Sequence, residues 1–167
     1  MWSGLGKPKR SSGGFSTKPA AAPHQQGSKG SADLAAKEQK AVSLINQGKL
    51  PEAEAIYREL IATGTNHHIV YGNLAAICSR QERFDEIIEL LKKALELKPK
   101  YPEAHNNLGN ALKQQGNIDA AIASYNKALQ LRPNYPEANF FLSLTMLLCG
   151  DYKNGWEKYE YRTKTNT

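Results

Sequence analysis

Apolar and small side chains recur at helical spacing through most of the chain, interrupted by turns that carry Gly or Pro. His105, Leu108, Gly109 and Leu112 share one arc of a helix, and a "QGN" turn follows. Ile118, Ala121, Ile122, Tyr125, Ala128 and Leu129 form the stripe of a second helix, which Pro133 stops. The pattern then recurs 34 residues on, pairing Pro102 with Pro136, Leu108 with Leu142 and Gly116 with Gly150. The same step backwards pairs Asn107 with Asn73, Leu108 with Leu74, Ala128 with Ala94, Leu131 with Leu97 and Pro133 with Pro99; one more aligns Glu82 with Gly48 and Ile87 with Ala53. A fixed period of this length predicts stacked helix-turn-helix units, hence an all-α solenoid of about four repeats. Their expected spans are 33–67, 68–101, 102–135 and 136–167. In the first, Lys37 and Lys40 replace apolar residues, as suits an end repeat with a solvent-facing side.

Opposite the apolar arc, Asn106, Asn107, Asn110, Lys113 and Gln114 share the other side of the same helix. Asparagine is a poor helix former, so three in one helix call for a reason beyond helix formation. The equivalent wall one unit earlier holds Asn73 and Arg80 together with Gly72, Ala76 and Ser79. Side-chain amides offer donors and acceptors together, which suits the backbone of an extended peptide. A solvated polar face is the alternative. In the last unit the same arc turns apolar, with Phe140, Phe141, Leu144, Leu147 and Leu148 there and Leu142, Ser143 and Met146 on the seam. A helix apolar nearly all round is normally buried, and this one is too short to span a bilayer. The expectation is a homodimer or a docked partner domain on the last repeat, against self-capping by a terminal helix carrying Trp156, Tyr159 and Tyr161.

The phased positions resemble the tetratricopeptide repeat (TPR) family, whose pattern runs W-x2-L-G-x2-Y, A-x3-F, P. Here it reads His105-x2-Leu108-Gly109-x2-Leu112, Ala121-x3-Tyr125 and Pro133. The copy before supplies Tyr71, Leu74, Ala75, Cys78, Ile87, Leu91 and Pro99, and the copy after supplies Asn139, Leu142, Ser143, Met146, Gly155 and Tyr159. The degenerate first copy keeps Gly48, Ala53 and Tyr57. The resemblance covers residues 34 to about 165 and implies a right-handed superhelix whose first helices line a concave groove. It therefore implies a protein-interaction scaffold that binds a peptide or protein partner there. The pair Asn73 and Asn107 is similar to the asparagine ladder of O-linked N-acetylglucosamine transferases, although Phe141 stands where the ladder would continue. An alternative follows, a repeat module of a bacterial transferase whose catalytic domain lies outside this chain. The Lys and Asn set by which some family members clamp a C-terminal carboxylate is missing, with Gly72, Ala76 and Glu103 in its place, which disfavours chaperone-tail recognition. The Gly/Lys tail and the ending "GDYKNGWEKYEYR" look bacterial in style.

Composition narrows the function further. Residues 1–32 are rich in Gly, Ser, Pro and Lys with no apolar period, and read as a disordered basic tail. They hold five cations and no acid, so the net +6 leaves only +1 on the repeats. The tail's cations are unclustered apart from "KPKR", so nucleic acid is not expected as a partner. No secretory signal or membrane span is read, and Cys78 and Cys149 fit reduced, packed thiols in a cytoplasmic protein. His67 and His68 are adjacent and point different ways, so no metal site is expected, and "GSKGS" is not a phosphate loop. No catalytic constellation is visible; neither an enzyme nor a cofactor is expected.

Overall fold

The computed structural model describes the backbone of residues 27–164 and the side chains of residues 32–160. Eight helices are found among the described residues: α1 Gly27–Asn46, α2 Leu50–Ala62, α3 His68–Ser79, α4 Phe84–Leu97, α5 Pro102–Gln114, α6 Ile118–Leu131, α7 Pro136–Leu148 and α8 Tyr152–Lys164. The tail expectation for residues 1–26 lies outside the described residues. For residues 27–32 it is corrected, because they form the first turns of α1. Extending a helix that Leu34 and Ala41 already anchor costs far less than starting one, so weak formers are carried along.

Local chemistry places the ends. Pro51, Pro102 and Pro136 open α2, α5 and α7, where a missing N–H costs nothing. Carboxylates occupy the first turn of α4 through Asp85 and Glu86, and of α6 through Asp119, where they meet the positive end of the helix dipole. Each two-helix unit turns through a left-handed residue: Gly48 at φ 76°, Glu82 at 57°, Gly116 at 80° and Gly150 at 81°. These four lie 34 residues apart, so one register position makes every inner turn.

Helices pack as consecutive pairs, α1 on α2, α3 on α4, α5 on α6 and α7 on α8, and each pair packs on the next. The odd helices also touch across repeats, α3 on α5 and α5 on α7, which places them on the inside of the curve. Tyr57, Leu91 and Tyr125 fill one register position and are fully buried. Beside Tyr125 lies Gly109, where a methyl group would fall 2.6 Å from the ring. Close helix approach and the bulky ring are thus two halves of one fit, and overpacking there would cost roughly 1–3 kcal/mol. The core forms two clusters, a large one running from Ala41 to Ala111 and a small one around Ala121, Tyr125 and Leu142.

Ion pairs cross the repeat junctions. Glu54 accepts from Arg83 at 2.8 Å, Arg58 donates to Glu86 at 2.6 Å, and Arg83 closes the network on Glu86. The bond from Arg83, with those from Arg58 and Gln81, holds the Glu54 carboxyl below the usual carboxylate range against the effect of burial. For Glu86 burial pushes upward, and the two guanidinium partners outweigh it, leaving its pKa lowered. Arg132 pairs with Glu103 inside one repeat, from the C-cap of α6 to the first turn of α5. Cys149, expected to be packed, is exposed at the C-cap of α7, whereas Cys78 is buried. The C-cap stands one residue past the helix, where the apolar stripe has already ended.

Candidate functional site

The inner surface of α3 and α5 encloses a cavity of about 200 Å³, lined by Ala75, Ala76, Ser79, Ile87, Asn107 and Asn110. It exists because the register position of Asn110 holds alanine one repeat earlier, at Ala76. Ile87 of α4 supplies an apolar lining, and Asn107 is exposed at this site. Ser79 donates its hydroxyl to the Ala76 carbonyl at 2.8 Å, which leaves its oxygen able to accept. The arrangement can hold an apolar side chain between two amides that reach main-chain groups.

The expected groove residues do not all face this space. Asn73 donates to the Tyr57 hydroxyl at 3.0 Å, and Tyr125 donates to Asn110 Oδ1 at 2.7 Å. Sequence reading gave these two asparagines no part in the helix seam; the structure corrects this, since each satisfies a buried phenol. Burial pushes the Tyr125 hydroxyl up to about 12, and burial likewise raises Tyr57, with its Asn73 bond acting the other way. Asn106 is corrected more strongly: it is only 4% exposed, and its Oδ1 has no partner. Its register mate Gly72 explains the side it faces, because a methyl on Gly72 would lie 3.0 Å from the Tyr101 hydroxyl. That side of the helix meets the tyrosine leading into the next repeat, a neighbour no single-helix projection contains. Lys113 is half-buried with its ammonium 5.5 Å from the centre of the Phe141 ring, while Gln114 and Arg80 are exposed at the ends of α5 and α3. The arc thus brings Asn107 and Asn110 to the cavity, sets Lys113 over Phe141 and sends Asn106 inside.

The apolar arc of α7 is divided. Phe141 stacks on Tyr125 at 6.3 Å, and Phe140 lies 6.2 Å from the Tyr159 ring of α8. Leu147 is held against Gly155 of α8, where a methyl would come within 2.8 Å of it. Leu144 is half-buried, and Leu148 is 76% exposed. The terminal helix therefore covers part of the surface expected to stand open, because Gly155 lets α8 approach α7 closely. Sequence reasoning missed Val42, 44% exposed in the register of Ala76 and Asn110, and Ile69, 39% exposed on α3. Stepping back 34 residues from Ala76 would have found Val42.

Outside the groove, an open cavity of about 420 Å³ lies among Glu82, Arg83, Phe84, Asp85, Glu86 and Gln115. There Arg83 pairs with Glu86, and Gln115 donates to Asp85. His67 bonds Glu38 at 2.7 Å, and no group of three or more metal-ligating side chains forms among the described residues. No helix among them is long and apolar enough to cross a membrane.

Comparison with known proteins agrees with this architecture. Family models described as tetratricopeptide repeat and TPR repeat match residues 102–135 and 75–116. No curated protein matches the sequence. Among solved structures, MamA from Desulfovibrio magneticus RS-1 is similar, with a TM-score of 0.72 at 18% identity over 78% of this chain and 74% of that one. The first TPR of Spaghetti (RPAP3), bound to the HSP90 peptide SRMEEVD, gives 0.69 at 22% identity over 72% and 95%. A mutant of the Thermobaculum terrenum O-GlcNAc transferase gives 0.65 at 24% identity, over 70% of this chain but only 22% of the transferase. The fold is a TPR solenoid, and residues 75–135 match the family models of the tetratricopeptide repeat.

Proposed function

We propose that the array is an interaction scaffold that holds an extended peptide segment of a partner protein along the inner surface of α3, α5 and α7. The cavity between α3 and α5 carries this reading: it joins an apolar lining to the exposed amide of Asn107. The RPAP3 repeat, whose structure contains a bound peptide, supports it by analogy of fold. The ligand should differ in kind, since Gly72, Ala76 and Glu103 occupy positions that a carboxylate clamp would need. Panning a display library of unstructured peptides against the full chain tests the idea. Selected peptides should bind the Asn107→Ala variant more weakly by about 1 kcal/mol for each lost hydrogen bond. Asn107 makes no bond to buried tyrosine, so melting should not change. If no peptide is selected, or if selected peptides ignore the substitution, the groove reading fails.

A second reading is a repeat module of a glycosyltransferase or other group transferase whose catalytic domain lies outside this chain. The likeness to the O-GlcNAc transferase supports it, because it covers most of this chain and a minor part of that enzyme. On this reading the full chain alone hydrolyses no nucleotide sugar, but copurifies with a protein that does.

A further inference from the structure

At every interior junction the second helix of one repeat is covered by the first helix of the next: α2 by α3, α4 by α5 and α6 by α7. Among the described residues α8 has no such successor. Register positions inside the stack elsewhere are therefore open on α8. Leu50, Phe84 and Ile118 share one such position and are half-buried; Ile88, 6% exposed, and half-buried Ile122 share another. Their counterparts in the last repeat, Tyr152 and Trp156, are 64% and 56% exposed, and Leu148, just across the turn, is 76% exposed. These three are half of the exposed large apolar side chains among the described residues, gathered at one end.

The other end of the stack is built differently. Val70, Ala104 and Ala138 occupy one register position of the first helices, and Ile77, Ala111 and Thr145 another; all six are buried, Thr145 beside Tyr125 of the preceding repeat. On α1 these positions hold Ala36 and Ser43, with Gln39 between them, and all three are exposed. Stacking head to tail would bury the amide of Gln39 against the stripe, between positions where the interior junctions bring apolar or small side chains, and this is unfavourable. A second copy that presents the same stripe buries aromatic surface on both sides, and such an interface closes as a two-fold pair. The flank of α8 fits this arrangement. Lys153 and Glu157 lie one turn apart, both exposed, and an antiparallel crossing sets each opposite the other sign on the second copy.

We propose that a second copy of this chain covers the stripe formed by Leu148, Tyr152 and Trp156, with two α8 helices crossing antiparallel about a two-fold axis. The proposal is independent of what the groove binds. Sedimentation of the full chain from roughly 1 to 300 μM should show a reversible monomer–dimer equilibrium. Trp156→Glu, at an exposed position, should keep the helical circular dichroism and weaken the dimer more than about tenfold, as expected for an interface tryptophan. Lys153→Glu or Glu157→Lys alone should also weaken it, and the two together in one chain should restore it. That rescue is peculiar to a symmetric antiparallel contact. A chain that stays monomeric throughout, a dimer that survives Trp156→Glu, or a double variant no better than the single ones would each overturn the proposal.

Discussion

Glu82 occupies a backbone position that the other three repeats give to glycine, at φ 57°. A side chain in the left-handed region costs roughly 1–2 kcal/mol, and the extra unfolded-state freedom of glycine returns about 0.5–1 kcal/mol of that. Glu82→Gly should therefore raise stability by about 0.5–1 kcal/mol, read as a higher urea midpoint with an unchanged slope. A lower midpoint would mean that Glu82 makes a compensating contact. This feature was legible in the chain, because the alignment of Glu82 with Gly48, Gly116 and Gly150 requires only the period. The fates of the asparagines were not. Asn106, Asn107 and Asn110 are one residue type on one helix, yet one is buried without an Oδ1 partner, one is exposed and one accepts from a buried tyrosine. What separates them lies on neighbouring helices, at Tyr125 and on the side of the next repeat.

Helices can be tied by charge as well as by apolar packing, and α2 and α4 are tied so through Glu54, Arg58, Arg83 and Glu86. Both carboxylates titrate lower in the folded chain than when free. A depressed folded pKa adds stability above the unfolded value of about 4.3, and the gain is lost as pH falls through the folded pKa. Melting temperature should thus drop between about pH 5 and pH 3, and Arg83→Met should lower it at pH 7 while flattening that drop. Exposure of the arginines limits each pair to about 1 kcal/mol or less. A variant with the same acid profile as the parent would show that the network carries no stability. At this scale the helices were readable from apolar spacing, and so were their partners within each repeat. The division of α7 was not, because it depends on Gly155 letting α8 lie close enough to cover Phe140 and Leu147.

Across the whole molecule the two core clusters differ in size, the larger uniting α1 to α5 and the smaller holding α6 to α7. Stability in a repeat array is close to a sum of neighbour terms, so it should fall toward the C-terminal end. Amide hydrogen exchange should reflect this, with α7 and α8 at least about tenfold less protected than α3 and α4. Uniform protection would mean that the array opens as one unit. Dimer formation through α8 should raise protection there as concentration increases. The side-chain pairs that bond between repeats, from Asn73 with Tyr57 to Gln115 with Asp85, join residues 16 to 30 apart in sequence, less than one period. Among the described residues no such bond leaps from one end of the array to the other. A force pulling on the two termini would accordingly pass through the junctions in series, as through springs hooked end to end. The softest spring, between α6 and α7, would lengthen first, so a scaffold of this shape could release its last helix pair under tension while the rest still grips.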